Sequence, residues 1–523
     1  MLEIAVILSA AAVAYGLGRA VGIPVVPLLI VAGLALSMGQ MMPDREFVVG
    51  ILEVGLAFLV FAAGLDMAPG RVGKQTDLAL KVGLIQFFAL ASLAGWLTLR
   101  TGYSLEQALY IALAISASST LVVVRVLKKR QELFESFGRM ILGVLLLQDL
   151  LVIGAIVVLR AMSEENTAEM LQVFEVTVVL VVAALVLGRY VLPKVVNRYR
   201  EEEETLLLIV LAVLFSFMGL AYLGGVPAVV AAFLAGLSLS SFPARSLVRG
   251  LITSLTDFFM VVFFIALGAL ITVPSTRVLL DALFLIVVVV VITPLLVAYV
   301  AEKAGMTSRG ALEAGLLLAQ TSEFSLIVGL AGLETGQISE ELFALIVIVT
   351  VVTMIVTPML SSRQSVGWLM RFHPNPGPKL SGPGRGEHVV VIGGGTAGAL
   401  LYEKFRAVNV PVVVVDNDPM VVSQFLDRQC DAVWGDGEQS HTLTEAGVRQ
   451  ARAVIVTTGK LAHLRAVKEQ MQEETPVWFH AFEVADAETA RDLGARAVNY
   501  SEAATDRFME WFTETLGHGM TEA

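Results

Sequence analysis

The sequence predicts a polytopic α-helical membrane domain of about 13 spans, built as an inverted repeat and followed by a C-terminal α/β Rossmann-like domain. Three observations predict it. Apolar residues fall in blocks of membrane-crossing length over roughly the first 360 positions. Two of those blocks, seven spans apart, are interrupted by clusters of small polar residues. A β-run, a Gly-rich turn and a helix then begin at residue 388, after a Pro/Gly-rich stretch.

The 523 residues are 56% hydrophobic and 16% charged, with mean hydropathy +0.78. A soluble chain carries about 25% charged residues. The apolar blocks run about 18–26 residues, enough to cross about 30 Å of hydrocarbon at 1.5 Å per residue. The single cysteine, Cys430, excludes an intramolecular disulfide framework. The net charge of −11 says little about partners, because much of the acid lies in loops and in the C-terminal part. No nucleic-acid partner is expected. The first block, LEIAVILSAAAVAYGLG, lacks the basic leader of a cleaved signal peptide and is expected to be a true first helix.

Thirteen spans centre near residues 10, 31, 56, 89, 115, 148, 181, 213, 233, 264, 289, 320 and 350 and are numbered 1 to 13. Alternate loops differ sharply in basic residues. One side carries Arg19, the groups 71–81, 125–139 and 189–200, then Arg245, Arg249, Lys303, Arg309, Arg363, Arg371 and Lys379. The other carries only Arg45, Arg100, Arg160 and Arg277. The basic side is expected to be cytoplasmic, with the N-terminus outside and the C-terminus inside. The expected domains are residues 1–362 in the membrane, a linker at 363–386 containing HPNPGPKLSGPGRG, and a module at 387–523.

Span 5 contains AISASSTLVVV (114–124) and span 12 contains LAQTSEFSLIV (318–328). A seven-span displacement gives the two halves opposite orientation. Such paired interruptions mark broken helices whose unwound backbone coordinates ions at the midplane. Hydroxyl contacts between intact helices are the plainer alternative.

The residues VLLLQDLLVIGAIVV (144–158) put Asp149 near the centre of span 6. A charge there costs roughly 2.5–3.5 kcal/mol even on the lenient insertion scale. Desolvation penalises the ionised form, which suits a group that holds a proton or a cation in turn. The alternative is a structural acid paired to a neighbouring helix. Gln148 points about 100° away and offers a neutral carbonyl oxygen. Ser118, Ser119 and Thr120 add hydroxyl or backbone oxygens, the ligands a hard alkali cation takes. Glu323 in span 12 is a second deep acid, open to a gating, partner or structural role. Gln86 is expected to join helices, while Glu53 and Glu175 lie nearer span ends.

In the module, HVVVIGGGTAGALLYEKFRAVNVPVVVVDNDP places Gly393, Gly395 and Gly398 in G-x-G-x-x-G between a strand and a helix. Asp416 follows 18 residues after the third glycine, at the end of a second strand. In this setting the glycines, with Thr396 opening the helix, bring a pyrophosphate to a helix N-terminus, and Asp416 accepts from ribose hydroxyls. Asp416 disfavours a 2′-phosphate. Further strands are expected at DAVWG, ARAVIVTT, PVWFHAF and ARAVNYS. The alternative is a Rossmann-like dimerisation scaffold with no ligand. His441, His463 and His480 show no metal spacing, and no metal beyond the transported cation is expected.

Several stretches resemble the Kef-type (glutathione-regulated K+/H+ antiporter-like) monovalent cation:proton antiporters. They are ESFGRMILGVLLLQDLLVIGA (135–155), VGLAFLVFAAGLDM (54–67), AFLAGLSLSS (232–241), FFIALGALI (263–271) and LLLAQTSEFSLIV (316–328). The resemblance implies a dimeric sodium/proton-antiporter fold in the inner (plasma) membrane. Spans 4–6 and 11–13 would form a moving core, and spans 1–3 and 8–10 a dimer panel. The ion would sit at the carboxylate of the Gln-Asp pair, here Asp149. Gln148 stands where electrogenic relatives carry a second Asp, and the apolar part of span 10 lacks Lys and Arg. Both imply one-for-one exchange of K+ or Na+ for H+. The module resembles the TrkA-N/RCK nucleotide-binding regulatory domain of potassium channels and transporters. That likeness adds Asp436 to the nucleotide set, with a loop-capping role as its alternative, and implies NAD(H) or an AMP/ADP-type ligand. Thr396 replaces an Arg that Kef-type members often carry, and glutathione gating is not carried over. No channel filter motif such as TVGYG occurs, which weighs against a nucleotide-gated channel. The short module lacks a second catalytic domain, which weighs against an oxidoreductase.

Overall fold

The computed structural model describes residues 2–21, 25–39, 45–67, 76–130, 136–164, 166–199, 202–240, 245–272, 274–304, 306, 308–372, 388–438, 440–471 and 475–516. Contacts divide the chain into a helical unit (1–134, 138–301 and 312–368) and a C-terminal unit (369–523) that also takes in 135–137 and 302–311.

Among the described residues, nine helical stretches are long and apolar enough to cross a membrane, and four shorter apolar helices join them. Together they match the thirteen expected spans. Spans 1 to 4 are Leu2–Val21, Val25–Met38, Arg45–Asp66 and Thr76–Arg100. Span 5 is split into Leu105–Ser116 and Thr120–Lys129, and span 6 is Ser136–Met162. Span 7 runs from Thr167 to Arg198 through a π-turn at Leu187–Val191. Spans 8 to 11 are Glu203–Leu223, Ala228–Ser240, Arg245–Ala269 and Thr276–Lys303. Span 12 is split into Ser308–Leu318 and Glu323–Glu334, and span 13 is Glu340–Leu360. Both expected broken helices are therefore present.

Sequence chemistry explains the ends. Ser104 begins span 5 with a capping box to Gln107, and Asn166 and Ser339 cap spans 7 and 13 through their side-chain oxygens. The second halves of spans 5 and 12 start at serine caps of their own, Ser119 and Ser322. These two serines lie 203 positions apart and mark the repeat.

The same spacing appears in packing. Span 2 packs along span 10, and span 3 along span 9. A side chain at Gly33 or Gly268 would collide with the carbonyl of Ile265 or Ile30, and one at Gly64 or Gly236 with that of Phe233 or Phe61. Glycine lets these backbones meet in lipid, where close van der Waals contact rather than water exclusion drives association. Gly33 and Gly236 are again 203 positions apart, so the repeat uses one packing solution twice.

The C-terminal unit holds a six-stranded parallel sheet, β1 (Val389–Ile392), β2 (Val412–Asp416), β3 (Asp431–Trp434), β4 (Ala453–Val456), β5 (Val477–Ala481) and β6 (Arg496–Asn499), in order β3-β2-β1-β4-β5-β6. Alternate residues feed two cores. Val389, Val391, Val412 and Val414 pack with Tyr402, Val422 and Phe425. Val390, Ile392, Val413 and Val454 pack with Leu464, Val467 and Ala487. The strand order reverses between β1 and β4, the switch point at which open parallel sheets take ligands. Residues 363–372, placed in the linker by sequence, are helical (Arg363–Leu369 and Met370–Phe372). The Pro/Gly-rich stretch 373–387 lies outside the described residues.

Candidate ion and nucleotide sites

Breaking a helix inside a membrane frees backbone groups that lipid cannot satisfy. The two breaks solve this by symmetry-related means. In span 5 the freed N–H of Ser118 donates to Gln148 Oε1 of span 6 at 3.0 Å. In span 12 the freed N–H of Thr321 donates to Thr353 Oγ1 of span 13 at 3.2 Å. Carbonyls are exchanged across the crossing. Ser118 Oγ donates to Leu318 O at 2.7 Å, and Ser325 Oγ donates to Ala114 O. Thr357 Oγ1 covers Ala319 O at 2.7 Å. Gln86 Nε2 of span 4 donates to Ser118 Oγ at 3.0 Å, the joining role expected of it.

Asp149 is the middle residue of the 27-residue helix Ser136–Met162 and is 2% exposed. Its Oδ2 accepts from Thr120 Oγ1 at 3.0 Å. Its Oδ1 is buried with no hydrogen-bond partner among the described residues. Gln148 is fully buried, and its carbonyl oxygen is taken by Ser118. The free atom of Gln148 is the amide Nε2. Because a backbone N–H needs an acceptor, the amide orientation follows from the chemistry.

Glu323, also buried, opens the second half of span 12. It accepts from Ser119 Oγ at 2.8 Å and from the backbone N–H of Leu121. Its carboxylate thus lies at the N-termini of both second half-helices, where two dipoles offer partial positive charge. Asp149 and Glu323 interact electrostatically. The crossing therefore brings Ser118, Ser119, Thr120, Gln148, Asp149 and Glu323 together. Asp149 alone among them keeps an unsatisfied acceptor.

Two elements were not singled out from sequence. The Thr350, Thr353 and Thr357 face of span 13 is visible as an i, i+3, i+7 pattern. Arg130 pairs with buried Glu313 and donates to Ser361 O at 2.5 Å, joining spans 5, 12 and 13. No local spacing signals that contact.

In the module, Gly393 follows β1 with φ +105°, and a side chain there would collide with Thr457. Gly398 sits against the carbonyl of Gly393. Gly395 is the N-cap of the helix Thr396–Ala407, which has no side-chain cap, and a Cβ on Gly395 would meet nothing within 4 Å. Open space over uncapped first-turn N–H groups is what a diphosphate needs. Asp416 accepts from Gly394 N at 2.5 Å and from Asp418 N at 2.7 Å. Burial pushes its pKa up to about 6, and those two N–H donors partly offset the rise. Asp436 caps its own loop through Glu438 N at 3.1 Å and contacts His463 Nε2 at 3.1 Å. His463 also contacts Thr458 Oγ1 at 2.9 Å. Asp436, Glu438 and His463 gather within 4.8 Å, an association that their sequence spacing does not reveal.

The family model of the transmembrane sodium/hydrogen exchangers matches residues 7–362. The chain belongs to this family. It is a transporter family rather than an enzyme family, and the exchanger is a multi-pass membrane protein. The TrkA-N domain model matches residues 389–501. K(+) efflux antiporter 3, chloroplastic, of Arabidopsis thaliana is 26% identical over 472 residues, 81% of this exchanger and 60% of that protein. The exchanger thus spans less than two thirds of that relative's length. The sodium proton antiporter MjNhaP1 of Methanocaldococcus jannaschii has a TM-score of 0.55 at 17% identity, over 70% of this exchanger and 97% of that chain. The fold is thereby the NhaP-like antiporter fold. The TrkA-N domain of the inner membrane protein ybaL of Escherichia coli is 21% identical over 24% of this exchanger and 96% of that chain, with a TM-score of 0.23.

The contact between Gln148 and Ser118 makes a direct prediction. Gln148→Leu leaves the Ser118 N–H unsatisfied and should destabilise the detergent-solubilised exchanger by about 1–3 kcal/mol, seen as a lower Tm. Gln148→Glu, which keeps an acceptor oxygen, should lose less.

Proposed function

We propose that the exchanger is a secondary active monovalent cation/proton antiporter, K+ first and Na+ second, that works by alternating access at Asp149. One observation carries the reading: a carboxylate at the centre of a spanning helix has one oxygen bonded by Thr120 and the other buried without a partner among the described residues. An unsatisfied buried acceptor is costly. A proton on Oδ1 removes the cost, and so does an alkali cation that takes Oδ1 as ligand. Occupants that exclude one another at one oxygen are the minimum requirement for exchange. Thr120 Oγ1, bonded to the same carboxylate, is a neutral oxygen available beside it, and Ser118 and Ser119 support the break from which it projects.

Glu323 has a different assignment. Two half-helix N-termini and Ser119 already compensate its charge. We assign it as the fixed anion that holds the crossing together, and Gln148 as the residue that positions the break. With Asp149 as the only exchanging group, one cation replaces one proton and transport is electroneutral. The preference for K+ draws on the name of the Arabidopsis relative. The basic loops favour a cytoplasmic TrkA-N module in a plasma-type membrane, and the exchanger is proposed to work as a homodimer.

The module is proposed to bind NAD(H) or an AMP/ADP-type nucleotide. Gly393, Gly395, Thr396 and Gly398 would hold the phosphates at the helix N-terminus, and Asp416 the ribose. Asp436 would border the site through its loop. Such a ligand regulates transport to the extent that its affinity differs between resting and cycling conformations.

In proteoliposomes, wild type should exchange K+ for H+ without generating a membrane potential. Asp149→Asn should abolish pH-dependent exchange of K+, Na+ and Li+. Undiminished exchange in that variant, or a potential generated by wild type, contradicts the reading. Nucleotide affinity should fall about fourfold between pH 7.5 and 5.5 as Asp416 gains its proton near pH 6, and Asp416→Asn should remove that dependence in a calorimetric titration. The linked effect on stability has the opposite sense. Folded Asp416 keeps its proton to higher pH than the unfolded chain does, so its stabilising contribution is full below about pH 4 and is lost as pH rises through about 6.

A further inference from the structure

The C-terminal unit takes in two short segments from between the spans, 135–137 and 302–311. The first runs into span 6, whose helix Ser136–Met162 carries Asp149. The second runs into the first half of span 12, Ser308–Leu318. Both segments are engaged around one turn of the Rossmann-like sheet, Asp416-Asn417-Asp418, at the end of β2.

The turn is held from within. Asp418 N donates to Asp416 Oδ1 at 2.7 Å, and Trp434 Nε1, at the end of β3, donates to Asn417 O at 2.8 Å. Asp418 is buried, and its Oδ1 caps the helix Pro419–Asp427 through Met420 N at 2.9 Å. Its Oδ2 accepts from Phe137 N at 3.4 Å. Phe137 lies in the first turn of span 6, where backbone N–H groups have no acceptor in their own helix and a carboxylate suits the positive end of the dipole. Asp149 is twelve residues further on, about 18 Å along the same helix. The Arg309 guanidinium lies over the Trp434 ring, 4.1 Å from its centre, within reach of a cation–π contact. Arg309 is the second residue of the first half of span 12. One three-residue turn therefore joins the Asp416 carboxylate, the start of span 6 and, through Trp434, the start of span 12.

We propose that this turn is an autoinhibitory tether: Asp418 and Trp434 hold the starts of spans 6 and 12, and a nucleotide at Asp416 releases them. The proposal rests on the exchange and nucleotide readings and supplies the route between them. On the exchange reading, spans 6 and 12 carry Asp149 and Glu323, so holding both helix starts slows the movement that opens Asp149 to either face. Both Asp416 oxygens are already engaged, Oδ2 by Gly394 N and Oδ1 by Asp418 N. Ribose hydroxyls draw on the same oxygens, weaken the bond to Asp418 N and loosen the turn. Coupling between binding equilibria is reciprocal, so a turn already loosened binds nucleotide more tightly.

The test uses the full-length exchanger, with K+/H+ exchange in proteoliposomes, calorimetric titration of the detergent-purified protein, and AMP and NADH as probes. Arg309→Ala should raise the nucleotide-free maximal rate about threefold, the worth of one exposed cation–π contact, and remove further stimulation by the probe that binds. It should also tighten binding of that probe about threefold, which a merely structural role of Arg309 would not do. Arg309→Lys, which keeps a cation over the ring, should restore wild-type rate and affinity. Asp418→Asn, which keeps an oxygen for Met420 N, should raise the rate from the span 6 side. An unchanged or lower nucleotide-free rate in Arg309→Ala, a nucleotide response of wild-type size in it, or no restoration by Lys overturns the proposal. If Arg309→Ala does not fold, the same rate and response criteria apply to Asp418→Asn. Absence of heat from both probes in wild type defeats the nucleotide reading, and the tether is then judged on the nucleotide-free rates alone. Persistent exchange in Asp149→Asn defeats the exchange site and leaves the rate comparison standing.

Discussion

The structure of the membrane unit depends on one constraint: backbone groups released by two interrupted helices must be satisfied where no water is available. Ser118 N and Thr321 N each find a side chain from the following span, Gln148 and Thr353. Leu318 O, Ala114 O and Ala319 O each take a hydroxyl from another segment. These contacts hold the crossing in one geometry. Among the described residues a few buried side-chain atoms near the breaks stay without a partner, namely Gln86 Oε1, Gln148 Nε2, Gln320 Oε1 and Asp149 Oδ1. Asp149 Oδ1 is the one carboxylate oxygen among these four, which is why the proposed exchange is assigned to it.

The two deep acids show how the same side-chain chemistry divides into two roles. Glu323 lies where helix N-termini converge and accepts from a hydroxyl and a backbone N–H. Asp149 sits mid-helix, where its own backbone offers no free donors, and a single threonine reaches it. Helix ends compensate one charge, and on the proposed reading their absence leaves the other exchangeable. The Gly-rich turn of the C-terminal unit uses related physics, with uncapped N–H groups at Thr396–Gly398 facing open space over Gly395.

Much of this was legible in the sequence, for identifiable reasons. Hydrophobic length and loop charge both give thirteen spans, and small polar clusters seven spans apart locate the breaks. Strand-turn-helix punctuation locates β1, the glycine turn and Asp416. Sequence could not assign the polar atoms to partners. Gln148 was expected to offer its carbonyl oxygen, and three-dimensional pairing gives that oxygen to Ser118. The Arg130–Glu313 pair joins residues 183 positions apart. The gathering of His463 with Asp436 and Glu438 depends on how two loops meet at the end of a parallel sheet.

The most direct test of the central claim is proton release at equilibrium. Detergent-purified exchanger, held in weak buffer near the midpoint of its own titration, is mixed with K+ while free protons are followed. Competition for a single buried oxygen predicts that saturating K+ releases protons from wild type, up to about half a proton per chain at that midpoint, and none from Asp149→Asn. Equal release from both proteins, or K+ binding to wild type without release, would contradict the account.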